Sequence, residues 1–106
     1  MEEVFSALAD PTRRRVVELL GARPLRAGEL AERTQTSPPV MSRHLRVLLR
    51  AGLVADERIP NDARLRIFRL RPERVADVQA WLDQIQANWN EQLTAFKTYV
   101  EEKEAS

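Results

Sequence analysis

Hydrophobic residues recur at three- and four-residue steps through the first half of the chain, which is the spacing of amphipathic helices. The pattern predicts helices over 2–9, 12–20, 27–33 and 37–52. Asp10 and Ser37 are suited to cap the second and fourth helices, because each precedes a proline at the first helical position. We expect Gly21 and Gly52 to end them.

The fourth of these helices divides into two contrasting faces. Its apolar stripe consists of Met41, Leu45, Leu48 and Leu49. The opposite face carries Pro39, Ser42, Arg43 and Arg46, with no carboxylate among them. Arginine and serine can contact base edges in a DNA major groove, so this face predicts a recognition helix. The alternative is an ordinary amphipathic helix with a solvated arginine face.

After Gly52 the apolar spacing changes from helical to strand-like. Residues 53–59 and 65–70 are two strand candidates, joined by turn residues 60–63. A hairpin that follows a helix-turn-helix is a wing, and Arg58, Arg64 and Arg66 would lie near its tip. The sequence therefore predicts a mainly α fold with a small β-hairpin wing: a winged helix-turn-helix in a single domain over 1–106. The helix-turn-helix covers 27–52 and the wing 53–70.

A long final helix begins at Pro72 and is expected to extend to about residue 100. Its apolar positions recur near heptad spacing, a pattern that favours a dimer in which 1–9 and 72–100 are the dimerisation helices. The predicted interface consists of Val4, Phe5, Leu8, Val78, Trp81, Leu82, Ile85, Trp89, Leu93 and Phe96. Alternatively, the stripe packs only on its own domain. A small hydrophobic inducer of unknown identity near Trp81, Trp89 and Phe96 is a third option.

Charge is distributed unevenly along the chain. The formal net charge is +1, but residues 11–71 hold fourteen arginines against six acidic residues, a net charge of +8 between acidic ends. A basic middle favours a polyanionic partner such as double-stranded DNA. There is no cysteine and one histidine, so we expect no metal site, no cofactor and no enzymatic activity. No apolar run or leader predicts a membrane span or export, and a cytoplasmic protein is expected.

Four motifs resemble the ArsR/SmtB family of winged-helix repressors: residues 10–20 (DPTRRRVVELL), 28–31 (GELA), 42–48 (SRHLRVL) and 51–54 (AGLV). The resemblance implies a homodimer that binds an inverted-repeat operator. It places base contacts at Pro38, Pro39, Ser42 and Arg43, with Arg46 and the N-cap Ser37 nearby. Wing contacts would fall on Arg58, Arg64 and Arg66. Arg13 and Arg15 would contact phosphate or simply face solvent.

The chain also departs from that family. Metal-sensing members carry Cys-x-Cys or Asp/His/Glu ligand sets, and a chain without cysteine does not match them. His44 is expected either to bond within the helix-turn-helix or to contact DNA. Thr34 and Thr36 stand where the family has aliphatic residues, which predicts a less well packed turn. The rival function is a winged-helix module that binds an acidic protein partner.

Overall fold

The structure, a computed structural model, describes residues 1–105, apart from the side chains of Ala63 and Arg64. Within that range the elements are α1 (Glu2–Leu8), α2 (Pro11–Ala22), β1 (Leu25–Arg26), α3 (Ala27–Arg33), α4 (Pro38–Arg50), β2 (Val54–Ile59), β3 (Asp62–Leu70) and α5 (Pro72–Ala105). All the predicted helices and both predicted strands are present. The mainly helical winged helix-turn-helix architecture is therefore confirmed.

Helix α2 begins as predicted and ends later than predicted. The Asp10 carboxylate accepts a hydrogen bond from the backbone N–H of Arg13 at 3.0 Å, so Asp10 caps the helix. Gly21 does not end it, because its φ is not positive and the helix continues to Ala22. The helix stops at Arg23, whose backbone is extended (φ −170°, ψ 159°). The following Pro24 disfavours helical geometry in the residue before it, and this explains the stop.

Helix α4 is closed at both ends as predicted. Ser37 Oγ accepts from the backbone N–H of Val40 at 3.4 Å. At the other end Gly52 has φ +76°, and the N–H groups of Gly52 and Leu53 donate to the carbonyls of Leu49 (3.0 Å) and Leu48 (3.1 Å). This pair of hydrogen bonds is a Schellman motif, which satisfies carbonyls that would otherwise lack partners. Hydrogen bonds therefore fix both ends of α4.

The turn between α3 and α4 is held by hydrogen bonds. Gln35 has φ +56°, and the backbone N–H of Thr36 donates to the carbonyl of Ala31 at 2.9 Å. Thr34 Oγ1 donates to the carbonyl of Leu30 at 2.7 Å and lies 3.1 Å from Thr36 Oγ1. The two threonines thus hold the turn through a local hydrogen-bond network, where aliphatic residues would hold it by packing.

Three strands form one antiparallel sheet in the order β1-β3-β2. Strand β1, which the sequence suggested only as an extended link, pairs Leu25 with Phe68 and Arg26 with Ile67. The hairpin turn is shorter than predicted, because Asn61 adopts φ +77° and lets β3 begin at the next residue. Strand β1 ties the start of α3 to the wing.

The chain separates into two compact units, Met1–Val75 and Ala76–Ser106. In the first unit the apolar faces of the helices and the sheet supply a continuous core: Val4, Ala7, Val16, Leu20, Leu25, Leu30, Ala31, Met41, Leu45, Leu48, Ala51, Leu53, Val54 and Phe68. The second unit is the remainder of α5, a 34-residue helix with no buried side chain. It continues past the predicted end to Ala105, and the pair Lys97–Glu101 (3.9 Å) supports that last stretch.

Candidate nucleic-acid interface

The exposed face of α4 is the centre of the candidate interface. Met41, Leu45 and Leu48 are buried on the opposite side, so the packing of α4 leaves Pro39, Ser42, Arg43 and Arg46 exposed. Neither Arg43 nor Arg46 forms an ion pair within the part of the chain that the structure describes. Ser37 and Pro38 are also exposed, at the N-terminal end of the same helix. The structure therefore leaves five of the seven contact residues predicted on this stretch exposed on α4 and a sixth, Ser37, exposed at its N-cap, whereas the seventh, His44, is half-buried.

A groove runs between this face and the wing. It encloses about 300 Å³ and is lined by Arg26, Ala27, Gly28, Ser42, Leu45, Arg46, Leu49, Leu65, Arg66 and Phe68. Ser42, Arg46 and Arg66 were predicted as contact residues from the sequence. Arg26 and Gly28 were not, because β1, whose pairing brings them beside the wing, is too short to show a periodicity.

The wing arginines differ in how they are held. Arg66 donates through Nε to the Asp56 carboxylate at 2.7 Å, and its guanidinium lies 5.3 Å from the centroid of the Phe68 ring. Arg58 lies opposite Arg66 in the strand register and is exposed. The Arg64 side chain, also predicted to contact DNA, lies outside the described residues. The structure thus presents one fixed and one exposed arginine on neighbouring strands.

His44 faces a second groove, of about 270 Å³, between α2 and α4. Its Nδ1 lies 3.2 Å from Arg13 Nη1. Because a guanidinium only donates, Nδ1 must be the acceptor, which leaves the N–H of the neutral ring on Nε2. Arg13 also donates through Nε to the Ala7 carbonyl (2.6 Å) and through Nη2 to the Ser6 carbonyl (3.2 Å).

One guanidinium therefore joins three helices, namely the end of α1, the start of α2 and the middle of α4. All three nitrogens of the Arg13 guanidinium are engaged within the chain, whereas the sequence suggested that Arg13 contacts phosphate or simply faces solvent. Arg15 is exposed and pairs with Glu18 at 3.3 Å. His44 bonds to Arg13 of α2, outside the helix-turn-helix over 27–52 within which a bond was expected, and its contact with DNA stays a prediction.

Asp10 lies beside this junction. Its pKa is held below the ordinary value of 3.8, chiefly by the hydrogen bond from the backbone N–H of Arg13. Burial opposes this effect, and the nearby Arg13 guanidinium adds to it. An ionised Asp10 therefore stabilises the start of α2, from which Arg13 reaches His44.

The predicted dimer residues fall into two groups. Val4 is fully buried within a single chain, so it is a core residue and its assignment to an interface is wrong. Phe5 is exposed and Leu8 half-buried. On α5 Val78 is half-buried, and the other predicted residues are exposed: Trp81, Leu82, Ile85, Trp89, Leu93 and Phe96. Tyr99 extends this exposed apolar stripe toward the C-terminus.

Two further features of residues 1–105 concern membranes and metal ions. No helix in that range is long and apolar enough to cross a membrane. The same residues contain no group of three or more His, Cys, Asp or Glu side chains that would hold a metal ion.

Comparisons with known proteins agree with this geometry. A helix-turn-helix domain model matches residues 8–57. The chain is 38% identical over 100 residues to the HTH-type transcriptional regulator Rv2034 of Mycobacterium tuberculosis, covering 94% of this chain and 88% of the relative. It is 41% identical over 58 residues to the transcriptional repressor SdpR of Bacillus subtilis, covering 55% of this chain and 64% of SdpR.

A solved structure extends the likeness to the fold of nearly the whole chain. The ArsR-like transcriptional regulator from Rhodococcus sp. RHA1 superposes with a TM-score of 0.82 at 30% identity, covering 94% of this chain and 89% of that one. These proteins are transcriptional regulators and not enzymes. With its helix-turn-helix, its wing and these relatives, the chain belongs to the ArsR family of winged helix-turn-helix transcriptional regulators, which bind DNA.

Proposed function

We propose that this regulator is a homodimeric repressor that binds an inverted-repeat operator in the bacterial cytoplasm. Each protomer inserts α4 into a major groove, and the arginines of the wing contact the flanking backbone. Two-fold symmetry then sets the two half-sites roughly one helical turn apart, about 34–36 Å. The name of the repressor SdpR supports repression as the direction of control.

The observation that carries the proposal is the exposed face of α4. Ser42, Arg43 and Arg46 lie on one surface with no acidic side chain, on a helix capped at both ends. Free arginines suit guanine edges, and a serine hydroxyl can serve either kind of base. An acidic protein partner would also fit a basic surface, but it would not require a face shaped as a single capped helix.

The exposed stripe of α5 supports the dimer. Trp89 is 57% exposed and Phe96 66% exposed, and five further large apolar side chains of the helix between positions 81 and 99 are 40–57% exposed. A contiguous apolar surface of this kind marks an interaction site, since burial stabilises by about 25 cal/mol for each Å² removed from water. A second copy of the same stripe covers it by helix–helix pairing.

The regulator does not respond to transition metals in this proposal. The chain has no cysteine and one histidine, so it lacks the ligands that borderline and soft ions prefer. The aromatic side chains of α5 form the apolar surface that is available to a small-molecule inducer.

DNA binding is tested by fluorescence anisotropy with the DNA upstream of the gene and with scrambled DNA, at two salt concentrations. We expect Arg43→Ala to lose about 1–3 kcal/mol of binding free energy on the operator and to relax base preference at one position in each half-site. Arg50→Ala is the matched control, because Arg50 lies on the same helix beside Glu2 and Glu3 of α1. Equal losses on both DNAs in Arg43→Ala would rule out direct base contact. No binding at low salt would favour the protein-interaction module instead.

The dimer is tested by sedimentation equilibrium. Trp89→Glu places a charge in the stripe and should raise the dimer dissociation constant at least about tenfold, a cost of about 1.4 kcal/mol. Ala87→Glu is the control, because residues two positions apart on a helix, such as Ala87 and Trp89, lie on nearly opposite faces. A monomeric wild type, or equal effects of the two changes, would contradict the proposed interface.

A further inference from the structure

The groove between α4 and the wing has three arginines from three different elements. Arg26 comes from β1, Arg46 from α4 and Arg66 from β3, and none of the ten residues that line the groove is acidic. The apolar side chains of Leu45 and Phe68 form the buried base beneath them. The groove is therefore shaped for an anion.

The three arginines have different freedom to bind. The Arg66 guanidinium is oriented by the Asp56 carboxylate and by the Phe68 ring. Arg26 and Arg46 form no ion pair among the described residues, and both are exposed. Two guanidinium groups from different elements that line the groove are thus available to a ligand from outside the chain.

Gly28 gives an independent indication of such a ligand. It lies in α3, where glycine is a poor helix former, and the fold does not require it. Its φ is not positive, and a Cβ at this position would meet no atom of the chain within 4 Å. Glycine is favoured where a ligand must approach the backbone closely, and Gly28 lines the same groove as Arg26 and Arg46.

We propose that this groove seats one phosphate of the DNA backbone, bound by Arg26 and Arg46, with Gly28 allowing close approach. Ser42 and Arg46 belong both to the groove and to the exposed face of α4, so a strand contacted by that face passes the groove. A phosphate contact of this kind fixes the register of the protein on the duplex without selecting a sequence. The inference rests on the proposed DNA-binding function and adds a contact outside α4 and the wing tip.

The charge is tested with Arg26→Gln, and Arg33→Gln at the exposed end of α3 is its matched control. Affinity is measured by anisotropy across a salt series on operator and scrambled DNA. Arg26→Gln should weaken binding roughly three- to tenfold on both DNAs and reduce the slope of log K against log salt by about one unit, while Arg33→Gln leaves both unchanged. A loss confined to the operator would indicate a base contact and overturn the phosphate assignment.

The close approach is tested with Gly28→Ala. A methyl group is accommodated in the free protein, so the melting temperature should be unchanged or higher, yet DNA affinity should fall several-fold. Gly21→Ala is the control, because its Cβ would also meet nothing within 4 Å and Gly21 lies outside the groove. If Gly28→Ala binds DNA as tightly as the wild type, the proposed close approach of a phosphate to Gly28 is refuted.

Two further outcomes separate the alternatives. Wild-type protein that binds no DNA would refute the proposed function and this inference together. Wild-type protein that binds DNA while Arg26→Gln and Gly28→Ala bind equally well would refute the inference alone.

Discussion

The Arg13 guanidinium offers the sharpest test of how the recognition helix is held. Arg13→Met keeps most of the aliphatic stem and removes the donors to the carbonyls of Ala7 and Ser6 and to Nδ1 of His44. The bonds to Ala7 and His44 are part-buried, whereas the bond to Ser6 is exposed and is discounted. Hydrogen bonds that involve a charged group contribute about 1.5–3 kcal/mol each, and partial exposure places these near the lower end.

We therefore expect Arg13→Met to lower the free energy of unfolding by about 2–3 kcal/mol, measured by urea unfolding at one fixed protein concentration. The melting temperature should fall by roughly 8–24 °C, at about 4–8 °C per kcal/mol for a domain of this size. Arg14→Met is the matched control. Its guanidinium donates to the carbonyls of Leu8 (2.9 Å) and Ala9 (3.1 Å), but both bonds are exposed and should contribute less than about 1 kcal/mol.

A second measurement addresses His44 directly. It is the only histidine in the chain, so its ring nitrogens are assigned without ambiguity by ¹⁵N NMR. The neutral wild-type ring should carry its proton on Nε2. In Arg13→Met the fraction of rings with the proton on Nδ1 should increase. If Arg13→Met costs no more than Arg14→Met, or if the neutral ring carries its proton on Nδ1 in the wild type, the three-helix junction is not as described.

Three further predictions concern the ends of the helices. Because the pKa of Asp10 is lowered in the folded protein, the stabilising effect of its carboxylate is fully present above the ordinary pKa and is lost as the pH falls through the folded value. In urea unfolding, the difference in free energy of unfolding between wild type and Asp10→Asn should therefore be smaller at pH 3 than at pH 7. Gln35→Gly should stabilise the fold by about 0.5–1 kcal/mol, because Gln35 has φ +56°, and an unchanged melting temperature would contradict this. Gly52→Ala should cost about 1–2 kcal/mol through its φ of +76° alone, since the added Cβ would lie 3.7 Å from Arg74 Nε, an ordinary contact; a loss near zero would show that the turn adapts.

Local chemistry made the helix starts predictable from the sequence. Asp10 and Ser37 cap α2 and α4 as expected, because a short oxygen side chain before a proline satisfies backbone donors without help from distant residues. The exposed arginine face of α4 was predictable for a similar reason, since helical period alone separates it from Met41 and Leu45. These features depend on residues within a few positions of one another.

Features that depend on distant pairing were missed. Strand β1 has two residues and no periodicity, and only its partners Phe68 and Ile67 define it. The engagement of Arg13 joins residues up to 31 positions apart. The hold of Asp56 on Arg66 depends on the register of β2 and β3, which pairs Arg58 with Arg66 beyond an irregularity between Arg58 and Ile59. Candidate contacts on one helix were therefore predictable, whereas the groove that joins three elements was not.

The position of β2 at an edge of the sheet has a consequence for solubility. Unpaired backbone groups along an edge strand can recruit another chain and start aggregation. The middle of β2 carries three consecutive charged residues, Asp56, Glu57 and Arg58. Adding a strand there would bury or crowd these charges, so the edge resists extension. Even when molecules accumulate on neighbouring sites along DNA, their wings should remain separate, and self-association is left to other surfaces of the chain.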